Sequence, residues 1–306
     1  MKIVLVGLGS WGEKYAKVLS NLGILSAICD FHSQKIIENE ENFSVNYYDS
    51  IDRLIESEVF DAAFVESTVS NQVAIITKLL YEKKHVFIEK PTVFDSRDGE
   101  KLKELSIKKK VILSCEFENR FNSTIKQIRN FVREKKYGDL VLLEFYSESK
   151  LSTQTNNGVV FENSVSDIDI ANWIFEETPV LVFAKVDLNN DKENFASLML
   201  GYKDNKTAII LSNGFSSNKI KNLRVVCSRG LIFSDLVSRK LKVENENTQI
   251  LPKEDSILLQ IQNFIDAIEG KNDFTVKPNE VVNVIKIAEA ALLSSKQGVP
   301  IYLDLK

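Results

Sequence analysis

Gly7-Leu8-Gly9-Ser10-Trp11-Gly12 is the stretch on which the fold turns. It matches G-x-G-x-x-G, and its flanks give the match meaning. KIVLVG (2–7) is a continuous apolar run that reads as a buried strand. Residues 11–22 read as a helix with Tyr15, Val18, Leu19 and Leu22 on one face. In that setting Gly7 permits the tight turn, Gly9 lets the backbone approach a pyrophosphate, and Gly12 lets helix and strand pack closely. The helix start offers free N–H groups and a partial positive charge to phosphates. Ser10 and Trp11 complete the loop and are taken with the glycines as dinucleotide contacts. The alternative is a glycine-rich turn that binds nothing.

An acid downstream favours the dinucleotide. Asp30 ends the next strand, LSAICD (25–30), where a carboxylate accepts hydrogen bonds from the adenosine ribose and repels a 2′-phosphate. NAD is therefore expected over NADP. His32, read as an exposed loop residue, weakens that preference, since a cationic neighbour tolerates phosphate. A solvent-facing strand-end acid is the other reading of Asp30.

Moving outward, short apolar runs alternate with helical patterns. SVNYYDS is a short strand or loop, IDRLIES a helix, DAAFVES (61–67) a strand, VAIITKLLYEKK a helix, HVFIEKP (85–91) a strand stopped by proline, SRDGEKLKELSIKKK a helix and VILSCEF (111–117) a strand. Repeated β-α-β units with continuous apolar strands imply a parallel sheet covered on both faces. Near Asn119 the pattern changes. A helix from about Asn122 to Lys135 precedes LVLLEFYSES, LVFAKVDL, FASLMLGY, KTAIILSNGF, KNLRVVCS and RGLIFSDL, which fit a mostly antiparallel sheet. SVSDIDIANWIF interrupts them as a helix. ILLQIQNFIDAIEG and NEVVNVIKIAEAALLSSKQG close the chain as two more, with Gly270 and Gly298 as stop signals. The expected architecture is α/β: a dinucleotide-binding domain with a covered parallel sheet over 1–120 and, over 121–306, an α+β domain with a large, mostly antiparallel sheet, the C-terminal helices being free to pack back on the first domain.

Composition narrows the chemistry. The 306 residues suggest two domains or one large one, and 44% hydrophobic with 27% charged residues fits an ordinary globular core. A net charge of -4 argues against broad nucleic-acid binding. No apolar run is long enough to span a bilayer, and KIVLVGLG is too short for a secretory core, so the cytoplasm is expected. Cys29, Cys115 and Cys227 form no CxxC pair, which disfavours a zinc or disulfide framework. Cys29 and Cys115 read as buried thiols. The only two histidines are His32 and His85, so a His-rich metal site is excluded and no metal is expected.

Glu89-Lys90-Pro91 follows the strand HVFI, at the carboxyl end where open α/β sheets bind ligands. Most strand-end lysines are merely solvated. Here Pro91 fixes the backbone after the lysine, the strand is buried, and a neighbouring oxidised nicotinamide would tune the amine for proton transfer.

With GLGSWG, EKP, ENRFN after the next strand and this order of domains, the whole chain resembles the Gfo/Idh/MocA oxidoreductases. Its last two helices look like those of the family's nucleotide-sugar dehydrogenases. The resemblance implies a Rossmann domain, an α+β domain whose open sheet commonly serves oligomerisation, and hydride transfer between a sugar carbon and a nicotinamide. It implies that Lys90 orients the reacting hydroxyl or moves its proton, that Glu89 places Lys90 by charge pairing and faces the cofactor with it, and that Arg120 and Asn122 lie near the cleft. The family pattern breaks at its Asp-x-x-x-His pair. Glu162 stands for the Asp and Ser166 for the histidine, and no register shift restores it. Those two share a face if the helix has already begun at Glu162, and Asp169 could join them. The polar side of an amphipathic helix is the other reading of Asp167 and Asp169. In STVSNQ, Gln72 stands where a second family histidine often falls, and Thr68 is counted with it as a cofactor contact.

Two functions remain open. One is an NAD(P)-dependent dehydrogenase or reductase for a sugar, cyclitol or nucleotide-sugar, with Lys90 as main acid/base, Glu162 and Ser166 assisting, and Arg120, Asn122, Lys150, Asp169 and Lys126 meeting the substrate. The other is a catalytically silent NAD-binding sensor or regulatory subunit. An isolated second-domain sheet would expose an apolar face, so a homodimer or homotetramer is expected.

Overall fold

A computed structural model describes residues 1–39, 42–66, 71–90, 95–151, 157–189 and 192–305. The chain forms two compact units, Met1–Glu116 with Ile257–Val282 and Phe117–Ser256 with Asn283–Lys306.

In the first unit, β1 (Ile3–Val6), β2 (Leu25–Cys29), β3 (Asn46–Tyr48), β4 (Ala62–Val65), β5 (His85–Ile88) and β6 (Leu113–Cys115) form a sheet in the order β3-β2-β1-β4-β5-β6. Every pairing is parallel. This is the doubly wound Rossmann order. The helices are α1 (Ser10–Asn21), α2 (Ser33–Asn39), α3 (Ile51–Ser57), α4 (Gln72–Tyr81) and α5 (Ser96–Lys109). All residues of β1 and β4 are buried, as covered parallel strands require. SVNYYDS resolves into a three-residue strand. Helix α2 is not foreseen in the sequence, because seven residues of mixed polarity show little period.

An aromatic cluster fills this core. Phe64 and Phe87, neighbours on β4 and β5, stack at 4.5 Å between ring centroids, and Tyr15 of α1 lies 5.5 Å from Phe64. From far along the chain, Phe264 sets its edge against Phe64 at 5.6 Å and Phe87 at 5.5 Å.

In the second unit, α6 (Ser123–Arg133) and α7 (Val165–Phe175) accompany β7 (Leu140–Glu148), β8 (Leu181–Asn189), β9 (Lys192–Gly201), β10 (Thr207–Asn213), β11 (Ile220–Cys227), β12 (Gly230–Asp235), β13 (Lys240–Val243) and β14 (Gln249–Ile250). Helix α8 (Ser256–Ile268) carries Phe264 in the first unit. Helix α9 (Pro278–Gln297) starts in the first unit's residues and ends in the second's, before β15 (Ile301–Tyr302). The nine-stranded sheet runs β14-β13-β12-β11-β7-β10-β9-β8-β15. All its pairings are antiparallel except β7 with β10. Alternation in β7 and β10 sends Leu143, Phe145, Ala208 and Ile210 inward. Ser294 and Ser295 of α9 accept the N–H groups of Ala184 and Val186, fixing α9 on β8.

Candidate dinucleotide and catalytic site

The glycine loop joins β1 to α1. Gly7 has φ 101°, a left-handed conformation only glycine adopts cheaply, and its N–H donates to the Cys29 carbonyl. A Cβ on Gly12 would lie 2.1 Å from the Gly7 carbonyl oxygen, so close packing of helix and strand demands glycine there. Ser10 is exposed, and Trp11 is half-buried with the Lys14 amine 3.8 Å over its ring.

Asp30 is 3% exposed, which removes the reading of a solvent-facing acid. Its carboxylate accepts the Leu8 N–H at 2.6 Å and the His32 N–H at 2.8 Å, tying the end of β2 to the loop. The exposed His32 ring places Nδ1 3.2 Å from the same carboxylate.

The sequence reading missed Glu66. This residue follows β4 and is 2% exposed, and its carboxylate lies on the start of α1. One oxygen accepts the Gly9 N–H at 2.6 Å and the other the Gly12 N–H at 3.4 Å. The loop therefore presents its amides to an anion, as a pyrophosphate site must. The glycines and amides of the loop fit a dinucleotide, and the Glu66 carboxylate lies on the same amides. Gln72, at the head of α4, is buried and its side-chain amide donates to the Glu66 carbonyl at 3.1 Å. Thr68 and Pro91 lie outside the described residues.

Lys90 follows the carboxyl end of β5 and its side chain is 15% exposed. It pairs with Glu116, 3.3 Å away and buried. Glu89, also buried, joins the β4 end through its N–H to the Val65 carbonyl. Glu116 was legible in principle. Ile88 pairs with Cys115 in parallel register, so the residues just past each strand stand side by side, and the Glu116 N–H donates to the Ile88 carbonyl. His85 opens β5, at the end opposite Lys90. Its Nδ1 accepts the Ile112 N–H at 2.9 Å, and burial pushes its pKa down against the opposing pull of Asp61. The Cys29 thiol is raised to about 12 by burial first, then by Asp30 and Asp49. Burial also raises the Cys227 thiol. All three cysteines are free and buried.

In the second unit Arg120 and Asp169, both buried, meet through a bidentate fork. Nη2 lies 2.6 Å and Nε 2.9 Å from the two carboxylate oxygens. Asn122 caps α6, accepting the Thr124 N–H and donating to the Leu236 carbonyl. These three, expected to meet substrate, thus each have partners within the unit. Lys150 is exposed, and Lys126 pairs with Glu254 at 3.4 Å. The amphipathic reading of α7 fails. Val165 to Ala171 are all buried, and Asp167 accepts the Ser147 hydroxyl at 2.6 Å and pairs with Lys221 at 3.1 Å. A buried carboxylate needs such partners. Glu162 lies in a π-helical turn, Val160–Ser164, that runs straight into α7, so the helical path has begun before it. The Val165 N–H closes the wide ring to the Val160 carbonyl. Such turns recur at functional sites. Ser166 is buried one turn on.

Among the described residues no helix is long and apolar enough to cross a membrane, and no cluster of three or more metal-ligating side chains occurs.

Residues 1–117 match the oxidoreductase family model with an NAD-binding Rossmann fold, and residues 147–303 match the same family's C-terminal alpha/beta domain. The chain is 27% identical over 259 residues to the myo-inositol 2-dehydrogenase of Thermotoga maritima, spanning 78% of this chain and 76% of that relative. Among solved structures, GenD2 from gentamicin A biosynthesis, in complex with NAD, superposes with a TM-score of 0.89 at 15% identity, over 99% of this chain and 96% of that one. UDP-N-acetylglucosamine 3-dehydrogenase GnnA from Acidithiobacillus ferrooxidans gives 0.88 at 17%, over 97% and 98%. At such identities these two likenesses speak for the fold. With both halves matched in order around a glycine loop that presents its amides to an anion, the chain belongs to the Gfo/Idh/MocA oxidoreductase family, and its N-terminal part is an NAD-binding Rossmann domain.

Proposed function

We propose that this chain is a dehydrogenase or reductase that works with NAD(H) on a hydroxyl or carbonyl carbon of a cyclitol, sugar or nucleotide-linked sugar. The carrying observation is Lys90, a largely buried cation just past the carboxyl end of β5, held by the buried carboxylate of Glu116. A bound nicotinamide would accept or supply the hydride. The glycine loop with Ser10 and Trp11 would hold the pyrophosphate, Asp30 the adenosine ribose, and Thr68, Gln72, Glu89 and Lys90 the remaining half. Asp30 favours NAD over NADP. The Lys90 amine takes the proton from a hydroxyl being oxidised or returns it to an oxygen being reduced. Glu162 and the Ser166 hydroxyl supply hydrogen bonds where the family carries Asp and His. Lys150 is the exposed cation available to a substrate phosphate. Arg120, Asn122 and Asp169 act one step back, holding the turn before α6 against α7.

The relatives are named for myo-inositol and for a UDP-sugar, and those names frame the test. NADH absorbance is followed with inositol isomers, free hexoses and UDP-hexoses, and turnover is expected on at least one class. Heat of NAD binding without turnover on any of them would instead support the silent sensor. That second reading draws on the two histidines: His85 is engaged at the far end of β5, and His32 lies beside Asp30.

We also propose a homodimer or homotetramer and, from three buried free thiols, a reducing cytoplasmic location. The outward face of the nine-stranded sheet carries Tyr146, Met199 and Phe233, each about 40% exposed, and a concavity of roughly 580 Å³ there is lined by Tyr146, Phe233, Ile209 and Leu211 together with the Glu144–Arg224 pair, Lys240 and Lys242. Exposed aromatic and aliphatic side chains gathered inside a charged rim are of the kind that a partner covers. Light scattering on the purified chain should give a mass at least twice the 34.7 kDa of one chain. A monomer at micromolar concentration removes the proposal.

A further inference from the structure

We propose that Glu66 is the chain's own occupant of the pyrophosphate cradle, and that NAD(H) binds by displacing its carboxylate. Three observations carry this. The carboxylate takes the Gly9 and Gly12 amides, at 2.6 and 3.4 Å. These are the donors a helix start offers to phosphate oxygens. It also fills the space that glycine leaves free. A Cβ on Gly9 would lie 2.0 Å from one Glu66 oxygen, so a diphosphate drawn up to the Gly9 backbone needs the same volume. Lastly, the Glu66 backbone is fixed. Its N–H donates to the Val6 carbonyl and its carbonyl accepts the Gln72 amide, so the exchange of one anion for the other is a side-chain rotation.

Two consequences follow. Without cofactor the loop is already formed around a negative group, which takes the Gly9 and Gly12 amides and compensates the positive end of α1. With cofactor, the displaced carboxylate stays within reach of a diphosphate of like sign, in a loop whose Leu8 amide already holds Asp30. Residue 66 therefore sets dinucleotide affinity, and removing its charge tightens binding. The inference rests on NAD binding by the first unit and not on the reaction proposed above, so a chain silent toward every sugar would leave it intact.

The test compares the full-length chain with Glu66→Gln and Glu66→Ser by titration calorimetry against NADH, ADP-ribose and adenosine. Glu66→Gln keeps the volume and removes the charge, and Glu66→Ser removes both. NADH and ADP-ribose, which both carry the diphosphate, are expected to bind at least tenfold tighter to Glu66→Ser, about 1.4 kcal/mol. The gain should be smaller for Glu66→Gln, and adenosine should be unchanged. Glu66→Ser should also melt lower than wild type without cofactor and gain more on adding NADH. If that variant fails to fold, Glu66→Gln alone decides. Folded variants that bind NADH no tighter than wild type would overturn the proposal, as would an equal gain for adenosine.

Discussion

Lys90→Met is expected to lower kcat by about 10²–10⁴-fold and to weaken NADH binding by much less than that. The size is that of losing a positioned general acid/base. Methionine keeps an unbranched, half-apolar stem but carries no proton. Removing the cation alone takes the Lys90 charge away from Glu116, whose side chain is 3% exposed. Breaking a buried pair from one side typically costs about 3–5 kcal/mol, less here because Lys90 is partly exposed. The single variant therefore conflates lost chemistry with lost stability. Lys90→Met with Glu116→Gln removes both charges. It should melt closer to wild type and remain as inactive as the single variant. Glu116→Gln alone should keep turnover but change its pH profile, since the amine then loses one neighbouring negative charge. Steady-state rates on whichever sugar class turns over decide the matter. Retention of more than a tenth of wild-type kcat by the double variant removes Lys90 from the proton's path.

Phe264→Ala should destabilise the first unit by about 3–5 kcal/mol, the usual cost of deleting a fully buried phenyl group. Its ring is wholly buried and contacts Phe64, Phe87 and, at 5.7 Å, Phe274. A methyl group in its place could not fill that space, and neighbours on two strands of a parallel sheet cannot collapse into it. Trp11 lies in the first unit and Trp173 in the second. Fluorescence of Phe264→Ala in a Trp173→Phe background thus reports the first unit alone in urea. The transition of the Trp11 signal should move to clearly lower denaturant. An unmoved midpoint would mean that α8 adds nothing to the Rossmann core.

Much of this was readable before any coordinates. The glycine loop, the run of apolar strands and the change of pattern after Asn119 are local signals, because parallel strands buried on both faces are apolar throughout and the loop's geometry demands glycine at fixed offsets. Lys90 stood out as a candidate because a proline follows it just past an apolar run. What escaped depends on residues distant in sequence. Glu66 and Glu116 look like ordinary strand-end acids, and only strand register brings one onto the α1 amides and the other onto Lys90. Asp167 and Asp169 suggest a solvent face, yet Lys221 and Arg120 come from elsewhere to bury them. The short β13, β14 and β15 carry too few residues to show a period. Phe264 sits on a helix of evident amphipathic pattern, but nothing local says which sheet that face will meet.

The first unit is closed by residues 257–282, and this has a cost during synthesis. When residue 116 leaves the ribosome, Phe64 and Phe87 have no Phe264 to cover them. Residues 117–256 must be made first, roughly 7 to 30 seconds at bacterial and eukaryotic elongation rates of about 5–20 residues per second. Through that interval the nascent sheet carries an open aromatic patch, a natural substrate for a ribosome-associated chaperone.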